Sequence, residues 1–453
     1  MRRGAWLGLA LVIAVVVAGP AGAAQPCVDC LQAGAARVAL RVPTGVPLAG
    51  YGGLARRLLL PDVLGQYPHA FWFEPSRGER DTLAVRAIVL EASGRRVAWV
   101  SLDLLAVEAR LTAEVAKRLQ AAGTQPLTLI LSASHTHSGP GAYIDSAVLG
   151  WLALDRFDRD VRAAVVAATV AAIREADAAR RPARLATASV AVPGVAKSRL
   201  GQPLDEALFV LRVSHAGGAP IALVWNFAIH GTTLGARNLR LSGDVMGEAS
   251  TRLERALGVP VLFVNGAVGD VSPARHGEGA TTGVGEALAT AARQGWATAV
   301  PVERATLSVG ETTVALPGPS LSIHNCLGGW WPRPLPLPLG TVFPRETTLG
   351  AVVIGDLGWV TFPGELQTAL GLGIKRAAGL SHAVVAGLSN DYLGYFLAAA
   401  DYARPTYVSC GSLYGPRTGE CLAEAAGALL RVVGRGEASN GGRTGCDLGT
   451  AAR

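Results

Sequence analysis

Two imidazoles stand two residues apart in Ser134-His135-Thr136-His137-Ser138-Gly139-Pro140-Gly141. The octet follows an apolar run, Leu127 to Leu131, that is short, rich in Leu and Ile, and closed by Gly and Pro, the marks of a buried strand. If the extended conformation runs on past Leu131, side chains two apart share a face, and His135 and His137 point the same way. Neutral imidazole is a common zinc ligand, but two nitrogens leave a tetrahedral site incomplete, so further ligands must come from elsewhere. A bare H-x-H is equally a polar loop carrying two solvated histidines. The weight rests on where the remaining histidines fall, since the chain has only eight in 453 residues.

The elements that would position them alternate along the chain. Strands are expected at 37–42, 83–91, 96–102, 127–131, 183–192, 207–213, 221–227, 261–264, 349–354, 358–361 and 384–388. Helices are expected at 108–122, 158–179, 243–257, around 285–296, and at 420–433. Several of these strands empty into polar, glycine-containing loops. Ile221 to Phe227 delivers His230 into a Gly/Thr loop, Val261 to Val264 runs into Gly269-Asp270-Val271-Ser272-Pro273, Gly358 to Thr361 opens into Pro363-Gly364-Glu365, and Val384 to Leu388 leads to Tyr392 and Tyr395. A lone Glu in a P-G-E turn is often no more than a helix N-terminal charge. Five such loops that together supply imidazoles, a carboxylate, a hydroxyl and phenols describe a catalytic zinc site with a position open to water. The fold class expected is α/β, mixed α+β: one large catalytic domain of mixed β-sheets flanked by helices, with strand-end loops forming the site.

Residues 1–24 read as a signal peptide. Arg2 and Arg3 precede an apolar run from Ala5 to Gly19, and Ala21-Gly22-Ala23 suits small-residue cleavage, so a secreted or periplasmic protein is expected. Residues 25–435 form the expected catalytic domain and 436–453 a flexible, Gly-rich tail. Cys27, Cys30, Cys326, Cys410, Cys421 and Cys446 are disulfide candidates in an exported chain, with connectivity left open. The formal charge of +7 is spread thinly over a chain with 17% charged residues, which speaks against nucleic acid as a partner.

The blocks Ser134 to Gly141, Asn226-Phe227-Ala228-Ile229-His230-Gly231-Thr232, Ser242-Gly243-Asp244, Gly269 to Pro273, Pro363-Gly364-Glu365, Tyr392-Leu393-Gly394-Tyr395 and Leu413-Tyr414-Gly415-Pro416 occur in this order. In that order the sequence resembles the neutral, nonlysosomal ceramidase family from about Gly50 to Pro416. The resemblance implies one zinc ion held by His135, His230, Glu365 and Tyr395. It implies that His137, Ser272, Arg199 and Tyr407 line the substrate, with Arg199 standing in Lys-Ser-Arg-Leu where the family has N-R-S. The chemistry implied is hydrolysis of the N-acyl amide of ceramide, or of a related N-acyl lipid, by zinc-bound water, with His137 supplying a proton to the departing amine. Tyr407 or His137 would face the developing oxyanion.

Ser272 has two readings, a binder of a substrate hydroxyl or a nucleophile; the absence of a G-x-S-x-G elbow favours the first. Departures from the family touch the pocket rather than the zinc ligands. The stretch after Pro273 is short and Ala274 replaces the family's asparagine; a pocket shaped without the family's C-terminal immunoglobulin-like domain is expected. These leave two alternatives: a zinc hydrolase of the same fold acting on another small amide or ester, and a noncatalytic ligand-binding relative. Trp330, Trp331 and Phe396 are candidate apolar walls, and transient contact with a membrane surface would accompany a lipid substrate.

Overall fold

In Ala84–Ala92 the side chains Val85, Ala87 and Val89 alternate with Ile88 and Leu90, and nearly every position is buried. Both faces of this strand are therefore covered, by different layers. The strand is central in a sheet whose spatial order is Thr128–Ala133, Arg95–Leu102, Ala84–Ala92, Gln32–Ala39, Arg181–Ala191, Ala207–His215, Pro220–Phe227, Val261–Asn265, with Val300–Pro301 added on Arg181–Ala191. The computed structural model describes residues 31–303, 305–328, 336–437 and 442–446. The expected signal peptide lies outside the described residues, as do Cys27, Cys30, Trp330 and Trp331.

Helices Ala109–Ala121 and Arg159–Ala178 pack on one half of this sheet through Val85, Ala87, Val100 and Leu131. Helices Asp244–Leu257 and Glu278–Thr298 pack on the other half through Leu208, Val210, Leu223 and Trp225. The opposite face meets a second, five-stranded sheet ordered His382–Ala386, Leu357–Thr361, Glu346–Ile354, Leu307–Ala315, Gly442–Gly445. Ile88, Trp99, Phe209 and Leu211 from the first sheet interdigitate with Val352, Trp359 and Val384 from the second. The Trp99 and Trp359 rings meet edge to face at 4.9 Å, a favoured aromatic geometry. Helices Thr368–Ala377 and Thr418–Gly434 close the outer face through Ile374, Leu422, Ala426 and Leu430. The result is a four-layered α/β architecture of mixed sheets, as expected from the alternation of elements.

Several elements differ from the sequence reading. The first strand is Gln32–Ala39 and not 37–42, because an Ala/Gly-rich segment of low β-propensity is recruited by its neighbour along the full length of Ala84–Ala92. Leu307–Ala315, whose apolar pattern is interrupted by the consecutive Gly310, Glu311, Thr312 and Thr313, was not expected as a strand, yet it pairs along its whole length with Glu346–Ile354. The helix read at 285–296 begins at Glu278. The tail read as flexible is tied down where it is described: Gly442–Gly445 runs parallel to Leu307–Ala315, and Cys446 is bonded to Cys421. A second disulfide joins Cys326 to Cys410. Phe396 is core, stacked on Tyr414 and edge-on to Phe362, and so forms no pocket wall.

Candidate metal centre

The loops that matter leave the ends of parallel-paired strands. Thr128–Ala133 is parallel to Arg95–Leu102, Pro220–Phe227 to Val261–Asn265, and Leu357–Thr361 to His382–Ala386. Such strand ends leave main-chain groups unpaired by the sheet, and here the loops pair with one another. Ala133 donates to Leu388 O at 3.0 Å, His137 to Gly231 O at 2.9 Å, and Glu365 to Gly394 O at 2.9 Å.

His135 and His137 converge by a route other than the extended one expected. The strand stops at Ala133, and His135 has a φ of 69°, a left-handed conformation uncommon for a residue with a side chain. The loop over-determines it: His135 N donates to Leu104 O at 2.9 Å and its Nδ1 is 2.8 Å from Leu105 O. Gly231 makes the crossing possible, because a Cβ there would stand 2.7 Å from both His135 O and Thr136 Cα.

His135, His137 and His230 are all buried, and their ring nitrogens lie within 4.8 Å of one another. Glu365 Oε2 stands 2.9 Å from His230 Nε2 and 3.4 Å from His135 Nε2. Tyr392 donates its hydroxyl to the other carboxylate oxygen at 2.7 Å, which turns Oε2 toward the imidazoles. Burial, then the Arg199 charge and His135, push His230 down to about 3, so it is neutral at ordinary pH. Burial, then its two histidine neighbours, hold His137 well below its usual value. Burial alone would raise Glu365, but its imidazole neighbours, His135 first and then His230, hold its carboxyl well below the usual range.

The donor set fits a divalent cation. His135 Nε2, both nitrogens of His137, both of His230 and Glu365 Oε2 are buried with no hydrogen-bond partner, although buried polar atoms are normally paired. Leu105 O can only accept, so His135 Nδ1 is the donor there and Nε2 is the nitrogen turned toward Glu365 and His230. Two or three imidazole nitrogens and a carboxylate oxygen form a ligand set of the borderline kind.

The other expected residues gather around this core. The short pair Ala196–Ser198 and Val271–Pro273 sets Arg199 beside Ser272, and Arg199 Nε donates to Ser272 Oγ at 2.7 Å. Arg199 Nη1 reaches the Tyr395 hydroxyl at 3.3 Å. Tyr395 enters beside Glu365 through the parallel pairing of Tyr395–Phe396 with Glu365–Leu366. Burial, then the Glu365 charge, raise the Tyr395 phenol well above its usual value. The Tyr407 ring lies 5.9 Å from that of Tyr395 and is largely exposed, at the outer rim.

Three positioning residues escaped the sequence reading. Asn265 donates from its amide to Ser134 O and Ile229 O, both at 3.0 Å, and so ties together the two histidine loops. Its only sequence signal was a polar residue closing the buried run Val261 to Val264. Arg56 is buried and donates to His137 O at 2.7 Å. Tyr51 lies with its ring 5.0 Å from His137, and its hydroxyl is pushed up to about 12 by burial and then by Asp244.

Residues 74–290 match the family described as neutral/alkaline non-lysosomal ceramidase, N-terminal. The neutral ceramidase of Pseudomonas aeruginosa is 25% identical over 430 aligned positions, covering 74% of this chain and 64% of that protein. Neutral ceramidase B of Dictyostelium discoideum is 26% identical over 218, covering 42% of this chain and 30% of that protein. The chain thus spans less than two thirds of the length of these relatives. The crystal structure of the Pseudomonas aeruginosa enzyme superposes with a TM-score of 0.79 at 20% identity, over 91% of this chain and 76% of that one, which establishes the shared fold. Residues 74–290 thus carry the neutral/alkaline non-lysosomal ceramidase N-terminal pattern, and the chain as a whole shares the fold of the Pseudomonas aeruginosa neutral ceramidase.

Proposed function

We propose that the protein is an exported zinc-dependent amidohydrolase that cleaves the N-acyl amide of ceramide or a close N-acyl lipid, giving a fatty acid and a sphingoid base or amine. The observation that carries this reading is the set of unpartnered, buried lone pairs on His135, His137, His230 and Glu365. His135, His230 and Glu365 would hold the ion, with Tyr395 as fourth ligand and His137 facing the substrate. A zinc ion held by these residues would supply Lewis-acid activation of water and of a carbonyl at neutral pH. The names of the relatives supply the substrate class.

The chain's own groups have separable tasks. Tyr392 fixes the orientation of Glu365. His137, buried beside His135 and His230 with neither ring nitrogen hydrogen-bonded, is placed to pass a proton to the departing amine. Arg199 presents a guanidinium next to Tyr395 and Ser272, where a substrate oxygen can be bound and negative charge stabilised. Ser272 is read as a substrate hydroxyl binder, because its neighbour is a guanidinium, which cannot remove its proton as a nucleophile's base must. Two disulfides suit an oxidising compartment, in keeping with export of residues 25–435 as the catalytic domain. No helix among the described residues is long and apolar enough to cross a membrane.

A second reading, a zinc hydrolase of a smaller N-acyl compound, is favoured by Gly277 leading straight into the helix Glu278–Thr298, which leaves little chain there to build a lipid groove. An activity screen with fluorescent ceramide beside short and long N-acyl amino acids, with and without chelator, separates the two. Chelator-sensitive release from ceramide supports the first reading. Release from N-acyl amino acids alone supports the second, and no chelator-sensitive release from any of them rejects both.

A further inference from the structure

Most of the large apolar side chains exposed among the described residues cluster in one place. Leu59 is wholly exposed, and Leu54, Leu60 and Leu64 are 91%, 79% and 80% exposed. Val63 is 75% exposed, and Trp151 and Leu152, 53% and 46% exposed, come from a separate segment. Soluble surfaces scatter such residues singly, and a contiguous group marks a contact surface.

This exposure is built. Leu58 donates to Trp72 O at 3.1 Å, Asp62 to Phe71 O at 2.9 Å, and Glu74 to Arg56 O at 2.8 Å, so 56–74 is laced back on itself. The Asp62 carboxylate receives Gln66 N and Tyr67 N at 2.9 and 2.7 Å, which fixes the tip. The Arg57 guanidinium lies over the Phe73 and Trp151 rings at 4.7 and 4.8 Å and joins the two segments. The backbone is thus held while the leucines face outward.

The surface adjoins the metal centre. Gly50 donates to Ala153 O at 2.8 Å, which brings the two segments together at their base. Tyr51 packs on His137, and a Cβ on Gly50, whose φ is 101°, would stand 2.5 Å from His137 Nδ1. The cations on this face are the half-buried Arg57 and the exposed Arg156, whose guanidinium lies over the Phe71 ring at 4.2 Å. The one acid of the loop, Asp62, is engaged by its own backbone.

We propose that residues 51–67 with Trp151 and Leu152 form a docking surface for a phospholipid bilayer carrying anionic headgroups. The apolar side chains enter the acyl boundary and the two arginines meet the headgroups, the division of labour of interfacial anchors. The inference rests on the lipid-hydrolase reading for its purpose: a sparingly soluble N-acyl lipid would pass from the bilayer to a centre whose His137 packs against Tyr51 at the loop's base. It assigns a specific surface to membrane contact.

The test is cosedimentation of the full chain with phosphatidylcholine vesicles, with and without phosphatidylglycerol and free of ceramide, beside a Leu59→Asp/Leu60→Asp variant. The wild type should bind, more strongly with the anionic lipid, and the variant should lose about tenfold or more of its partitioning. The variant should keep the wild-type melting temperature and turn over a water-soluble short-chain N-acyl amide within about twofold of wild type, since both leucines lie clear of the packed core. Equal binding by variant and wild type overturns the proposal. So does a wild type that ignores vesicles, whether as a monomer or as a dimer that the substitutions dissolve. Because the vesicles hold no ceramide, binding by a protein inactive on ceramide removes the substrate reading and leaves the surface standing.

Discussion

Two buried polar clusters, each built at least partly on the larger sheet, are treated in opposite ways. At Arg86 every charge is answered: its guanidinium meets Asp103 at 3.1 Å and Glu254 at 2.7 Å, Glu254 also takes Arg37 at 3.0 Å, and Asp103 accepts Ala84 N at 2.9 Å. At His135, His137, His230 and Glu365 six buried donor or acceptor atoms face one another with no hydrogen bond to satisfy them. Burial is common to both, so burial alone does not mark a functional group. A cluster of unanswered lone pairs facing one another does, because buried polar atoms are normally paired.

The comparison breaks first, and hardest, at the histidines. His230→Ala should abolish stoichiometric metal binding and lower amide hydrolysis by roughly 10³-fold or more, measured by metal analysis and single-turnover rates. Added zinc should raise the melting temperature of the wild type, by binding the native state, and leave that of the variant unchanged. Arg86→Met should do the reverse. Stranding Asp103 and Glu254 should cost about 3–5 kcal/mol in urea unfolding, while the folded fraction keeps its metal.

A sharper cut separates ligands from groups that act beside them. His137→Ala should keep the metal and lose roughly 10² or more in turnover; loss of metal would make His137 a ligand. Tyr392→Phe removes only the hydroxyl that orients Glu365 and should weaken metal affinity by about 10- to 100-fold, read by competition with a chromophoric chelator. The smallest effect lies far from both clusters, at Asp158, which caps the helix Arg159–Ala178 through Asp160 N and Val161 N. Burial would raise its carboxyl, but the His69 hydrogen bond and these amides hold it below its ordinary value. The folded group is thus the stronger acid, and its contribution is complete above the unfolded value near 3.9 and fades as pH falls through the lower folded one. Asp158→Ala should cost about 1 kcal/mol in urea unfolding at neutral pH and less in acid.

The residues of the centre were legible in the sequence because each sits where an apolar run stops: His135 after Leu131, His230 after Phe227, Glu365 after Thr361. A strand's end is a place that both periodicity and polarity announce. What periodicity could not announce is how the chain turns there. The left-handed φ of His135 is set by Leu104, Leu105 and Gly231, residues distant in sequence. Asn265 and Arg56 act through backbone carbonyls of other loops and leave no local pattern. Leu307–Ala315 was missed because Gly310, Glu311, Thr312 and Thr313 break its apolar pattern and its pairing is supplied by Glu346–Ile354. The leucines after Tyr51 drew no reading from the sequence, because their outward direction is set by backbone bonds to residues 71–74 and has no local pattern.

The most direct test of the account is metal analysis of the purified full chain beside His230→Ala, with hydrolysis of fluorescent ceramide followed in parallel as zinc is removed and restored. The account predicts one zinc per wild-type chain, none in the variant, and activity that leaves and returns with the metal. Zinc undiminished in His230→Ala, or ceramide hydrolysis indifferent to its removal, would contradict it.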